Sequence, residues 1–164
     1  MKKYFLVIML LFTSYMSKSQ NNAVDFNLKD CNGTQQNLYN IIDSGNVVVL
    51  VYEHECPSCL AGATSLKNVI KNNFSDKKNI RVIYLDNGAN SCNTTKKWVQ
   101  KNNLLEGLYF KFSNDFTSPY GDGMPVIVVT SGKSHKVFLI AGSPDEANND
   151  ALKTAIDNAL SEGN

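Results

Sequence analysis

Two cysteines with two residues between them, in the octapeptide YEHECPSC (Tyr52 to Cys59), are the side chains most able to do chemistry. They follow the apolar run NVVVLV and are flanked by Glu53, His54 and Glu55. Three chemistries use such spacing: thiol–disulfide exchange, metal ligation and a structural disulfide. A disulfide closing so small a loop removes little entropy from the unfolded chain, so the pair makes a poor staple. His54, Cys56 and Cys59 would supply three ligands suited to copper(I) or zinc. A fourth would have to come from His135, Met124 or a distant cysteine, because the chain holds no second motif of this kind. Exchange needs only an attacking thiol, a resolving thiol and something that stabilises the thiolate. The copper or zinc site and a non-catalytic binding module stay open as alternatives.

The elements that must position the pair are legible from periodicity. The β-branched run from Asn46, bounded by Ser44-Gly45, predicts a central strand buried on both faces. From Pro57 to about Phe74 the period turns helical, with Leu66, Val69, Ile70 and Phe74 on one stripe. Proline suits the first turn, where its missing N–H is not needed. Cys56 then falls at the N-cap, where unpaired backbone N–H groups and the positive end of the helix dipole favour a thiolate. Cys59 falls inside the first turn as the resolving thiol. Glu53 and Glu55 act against the thiolate as nearby like charges, and a protonated His54 acts for it. A less stabilised thiolate means a lower reduction potential, so the pair is expected to be an electron donor.

Further along, NIRVIYLDNG predicts a second strand and SCNTTKKWVQKNN a second helix capped by Ser91 or Asn93. LLEGLYFKFSN gives a short strand or link. Two strands joined at Ser131-Gly132-Lys133 must form an antiparallel hairpin, and 145–160 a packing helix. Upstream, the Asn32-Gly33 pair in AVDFNLKDCNGTQQNLYNII signals a hairpin turn. Trp98 is expected to pack, and His135 to be a solvated turn residue.

With 164 residues and 43% hydrophobic content, the chain suits one core. Its 16 basic and 15 acidic side chains leave a charge of +1, which excludes a field that gathers nucleic acid or anionic lipid. The first twenty residues, MKKYFLVIMLLFTSYMSKSQ, have a basic start, an apolar run and small residues Ser17 and Ser19. They predict a signal peptide at 1–19, cleaved near Ser19, whose apolar run is shorter than the ~20 residues that span a bilayer. An uncleaved anchor is the alternative. The remaining 20–164 would work in the periplasm or as a secreted protein, where disulfides persist.

The hairpin FNLKDCNGTQQNLYNI, the strand and motif VVVLVYEHECPSC, the loop SPYGDGMP before a strand, and the closing hairpin and helix together resemble exported thioredoxin-like proteins of the TlpA/ResA type. The resemblance covers nearly all of 24–160. It implies an α/β thioredoxin fold, a mixed central sheet with helices on both faces and an N-terminal β-hairpin. It also implies a thiol–disulfide oxidoreductase without a cofactor, with Cys56, Cys59 and a cis Pro125 as catalytic residues. Pro57, Ser58, Met124 and Tyr120 become the substrate-binding candidates, and Glu53, His54 and Glu55 tune the site. The implied partners are oxidised protein substrates, an apocytochrome among them, and a membrane thiol-electron transporter, with the protein itself a monomer. In this fold Cys31 and Cys92 lie in turns at the same end of the sheet, which makes a structural disulfide plausible. The chain departs from the thioredoxin pattern where tryptophan usually precedes the first cysteine and a buried acid or amide lies six positions before it. Glu55 and Leu50 stand there, so the proton-relay role would pass to Glu53, Glu55 or His54.

Overall fold

The computed structural model describes residues 22–86, 88, 91–111, 118–121 and 123–162. The expected signal peptide and its cleavage site lie outside the described residues. Among those described, no helix is long and apolar enough to cross a membrane.

The central strand, β3 (Val47–Glu53), is buried at every position. A strand with neighbours on both edges and cover on both faces has no polar side to offer, which is why its sequence is continuously apolar rather than alternating. It pairs in parallel with β4 (Ile80–Asp86) and antiparallel with β6 (Val126–Ser131). The edges are β5 (Leu108–Lys111), parallel to β4, and β7 (Lys136–Ala141), antiparallel to β6, giving the order β5-β4-β3-β6-β7. Helices α2 (Pro57–Asn73) and α3 (Cys92–Lys101) are the crossovers of consecutive parallel strands, and right-handed crossovers in one direction put both on one face. That face also carries α4 (Asn149–Glu162); Val47, Val49 and Val51 pack there against Cys59, Ala63, Leu66, Trp98 and Ile156. The alternate residues Val48, Leu50 and Tyr52 turn to the other face, against Phe26, Leu38 and Ile42. Cover on this second side is slighter. It consists of α1 (Leu38–Asp43) and the hairpin of β1 (Asn27–Lys29) and β2 (Gln35–Asn37).

The Asn32-Gly33 pair lies in the hairpin turn expected of it: the strands are joined by the loop 30–34, organised by buried Asp30. Its Oδ1 accepts the amides of Asn32 at 2.8 Å and Thr34 at 3.0 Å, and Oδ2 accepts the Gln36 side-chain amide at 3.1 Å. Gly33 supplies the left-handed step at φ 83°. His135 is not a solvated turn residue. Its ring stacks on Tyr39 with centroids 3.6 Å apart, and Nε2 lies 2.9 Å from Asp43 Oδ1. The β6–β7 turn meets the C-terminal end of α1, a contact between residues far apart in sequence that local patterning does not reveal.

Candidate active site

The chain leaves β3 at Glu53 and enters α2 at Pro57, so the three residues between form a tight connection at one end of the sheet. Cys56 is the N-cap of α2, in extended backbone at φ −77° and ψ 159°, and its Sγ accepts the Cys59 amide at 3.0 Å. That bond takes one of the orphan donors of the helix start and places the sulfur in the positive field of the N-terminus. Cys56 is half-buried, whereas Cys59 is fully buried in the core. The two are joined as a disulfide with Cα atoms 5.0 Å apart, so the structure shows the oxidised form.

The docking edge arrives from the other side of β3. Because β6 runs antiparallel to β3 with Val126 opposite Tyr52, the residue before Val126 must sit at the end where the CPSC motif begins. That residue is Pro125, buried, and the Met124–Pro125 peptide is cis. A Cβ added at Gly62, one turn beyond Cys59, would lie 3.2 Å from Pro125 Cγ and 3.2 Å from Ile127 Cδ1. The glycine therefore lets the proline edge close against α2. Ser58 links the two parts: its Oγ is 3.0 Å from Cys56 Sγ and donates to the Met124 carbonyl at 3.3 Å. Pro57 is exposed at the rim. Tyr120 is engaged internally, its hydroxyl accepting the Val24 amide at 2.8 Å and its ring edge-on to Tyr52.

The three tuning candidates separate sharply. Glu53 has no exposed surface. Its Oε2 accepts the Glu55 amide at 2.7 Å, while its buried Oε1 has no hydrogen-bond partner among the described residues. Burial pushes its pKa up to about 8, the Glu55 amide opposes this, and the charges of Asp86 and Glu55 add to it. Burial thus works against the sequence reading of Glu53 as a second anion beside the thiolate. Glu55 is exposed and left-handed at φ 64°, a conformation rare for a residue with a Cβ, and the Glu53 carboxyl pins its amide. His54 is exposed. Among the described residues no group of three or more His, Cys, Asp or Glu stands where it could hold a metal ion. His135, considered as a fourth ligand, lies in the turn after Ser131, at the far end of β6 from Pro125.

Beside Cys56 opens a cleft of about 940 Å³ between α2 and α3, lined by Leu60, Ser91, Lys97, Trp98 and Lys101 among others. Trp98 packs in the core, as expected, and also forms part of this wall. Sequence reasoning missed Asp86 and Thr95. Asp86 is buried and accepts the Thr95 hydroxyl at 2.6 Å and the Gly88 amide at 2.7 Å. The available signal was that both central strands end, after a buried run, on an acid.

Cys31 and Cys92 form a disulfide with Cα atoms 5.3 Å apart, tying the hairpin loop to the first turn of α3. With a sequence separation of 61 between them, the chain-entropy relation gives about 4 kcal/mol. The double variant Cys31→Ser, Cys92→Ser is expected to lose stability of that order in urea unfolding under non-reducing conditions. An unchanged midpoint would show that the bridge adds nothing to the fold.

No protein-family model matches the chain, and no curated protein matches it. Solved structures do. A candidate thiol:disulfide interchange protein DsbE from Chlorobium tepidum superposes with a TM-score of 0.64 at 20% identity, covering 85% of this chain and 96% of that one. A secreted Mycobacterium tuberculosis disulfide oxidoreductase homologous to Escherichia coli DsbE gives 0.62 at 18%, covering 81% and 95%. The thioredoxin domain of a Bacteroides vulgatus thiol-disulfide oxidoreductase gives 0.60 at 16%, covering 85% and 95%. The fold is the thioredoxin fold.

Proposed function

We propose that this thioredoxin-fold protein is an extracytoplasmic thiol–disulfide oxidoreductase that reduces disulfides in protein substrates. One observation carries the reading: a half-buried sulfur at a helix N-cap, bridged through Ser58 to the backbone of the Met124–Pro125 edge. The names of the structural neighbours support it. In the dithiol form, Cys56 thiolate attacks one sulfur of a substrate disulfide; the other substrate sulfur leaves with the electron pair and takes up a proton. Cys59 then loses its proton and attacks Cys56 Sγ, which releases the second substrate thiol and closes the Cys56–Cys59 bond. Two electrons pass to the substrate. Met124 and Pro125 present main chain to the substrate segment, and Pro57, Ser58 and Tyr120 complete that edge.

Of Glu53, His54 and Glu55, our choice for proton exchange with Cys59 is Glu53. By strand alternation it continues the face of Val49 and Val51, which packs on Cys59. A pKa of about 8 also lies close to the ~8.5 of a free thiol, so transfer between them is nearly balanced. Glu55 remains as the charge that disfavours the Cys56 thiolate, and this supports the reductant assignment. The reading includes a signal peptide at 1–19, a monomeric domain at 20–164, electrons from a membrane thiol-electron transporter and, among substrates, an apocytochrome. Titration against a glutathione or dithiothreitol couple is expected to give a midpoint below about −150 mV, away from the strongly oxidising end near about −120 mV. A midpoint above that line would make the protein an oxidant.

A further inference from the structure

The ends of β3 and β4 set two acids side by side. Glu53 and Asp86 are register partners in the parallel pairing, and each is the last residue of its strand. Val49 and Val51 of β3 and Val82 and Tyr84 of β4 share one core, so alternation places both acids on that same face, towards α2 and α3. Both are buried. Neighbouring strands run ~4.8 Å apart, the charge of Asp86 acts on Glu53, and two carboxyl groups that interact in a poorly solvated site resist being charged together. Their hydrogen bonding is unequal. Among the described residues Asp86 accepts the Thr95 hydroxyl and the Gly88 amide, whereas Glu53 accepts the Glu55 amide alone and leaves Oε1 bare. Donors favour a charged carboxylate, so Glu53, the poorer in donors and raised by burial, is the acid that keeps the proton.

We propose that Glu53 and Asp86 are a buried carboxyl pair holding one proton between them, and that Asp86, fixed by Thr95, is the positioning residue that keeps this proton on Glu53 for exchange with Cys59. The inference rests on the oxidoreductase reading for its use, though not for its existence. The groups facing Glu53 are Asp86 and Tyr84 from β4 and Glu55 from its own loop; α2 contributes Cys59 on the same face, and α3 contributes the uncharged Thr95. The bare Oε1 then has an explanation. A disulfide sulfur is a poor acceptor, so in the oxidised form the acid proton has no strong acceptor to meet. When a substrate thiolate attacks Cys56 Sγ, the Cys56–Cys59 bond breaks, its electron pair leaves on Cys59, and the Glu53 proton moves to that sulfur. In the reducing direction Cys59 returns the proton to ionised Glu53 as it attacks the mixed disulfide. An isolated carboxylate at ~4.3 is about four orders of magnitude too weak a base to match a thiol at ~8.5. Burial closes most of that gap, and a second negative charge beside it adds to the shift.

Carboxyl-carbon NMR of the full folded protein, oxidised, across pH 4 to 10 tests the pair. One carboxyl signal is expected to titrate above neutrality, to vanish in Glu53→Gln, and to move down by one pH unit or more in Asp86→Asn. In Thr95→Val, a variant that spares both acids but removes a donor from Asp86, the Glu53 midpoint is expected to move down as well. A Glu53 midpoint unmoved by both Asp86→Asn and Thr95→Val would overturn the pair, even in a protein that exchanges disulfides normally. The expected shifts in a protein with no exchange activity would leave the pair standing and remove the oxidoreductase reading instead.

Discussion

Cys56→Ser is expected to lower the rate of insulin disulfide reduction by at least about a thousandfold, to the uncatalysed background, while Cys59→Ser attacks substrate once and stops. A serine hydroxyl is far too weakly acidic to be ionised by a helix N-terminus, so the field that stabilises a thiolate at the N-cap has nothing to act on. The fold should survive, because serine is itself a favoured N-cap and its oxygen can accept the Cys59 amide as the sulfur does now. Cys59→Ser keeps the attacking sulfur but lacks the thiol that resolves the mixed disulfide. It should therefore accumulate substrate adducts, visible as mass increments that dithiothreitol removes. Adducts forming equally on Cys56→Ser would place the nucleophile elsewhere, and a wild-type protein that reduces no insulin would be a binding module. The substrates so trapped report the pathway in which the protein works.

That experiment concerns the part of the site that local sequence already specified. The N-cap position of Cys56 follows from a strand that ends, a proline that begins a helix and the distance between them, all within a dozen residues. The approach of Pro125 needed knowledge of topology: its place beside the dithiol depends on Val126 pairing with Tyr52, a non-local register that the family resemblance supplied and periodicity alone does not. The same applies to Cys31 and Cys92. What the sequence concealed was the environment of Glu53. An acid three residues before a cysteine reads as one more charge beside the thiol, and only the pairing of Glu53 with Asp86 reveals a buried acid. His135 was misread for a related reason, since its partners Tyr39 and Asp43 come from α1. Ser58 lay in plain view inside the motif, but its hydroxyl acquires meaning only once the Met124 carbonyl is within reach.

Because Glu53 is buried with a raised pKa, the stability of the oxidised protein should fall as pH rises, and Glu53→Gln should remove that part of the slope. The carboxyl ionises at an ordinary 4.5 when unfolded and at about 8 in the fold. Between those values the native state binds a proton that the unfolded chain has released, so unfolding stability decreases with pH. The contribution is fully present below pH 4.5, declines across the window and is lost as pH passes about 8. At ~1.4 kcal/mol per unit the window amounts to several kcal/mol. Glutamine copies the shape of the protonated acid, and its carbonyl can still accept the Glu55 amide that holds the left-handed residue before Cys56. Near pH 5 the variant should match the wild type; at pH 9 it should be the more stable protein by several kcal/mol in urea unfolding. Parallel slopes for the two proteins would mean that Glu53 is charged in the fold at neutral pH. The gain in stability should come with slower exchange, since the group whose ionisation weakens the fold at high pH is the base that Cys59 requires.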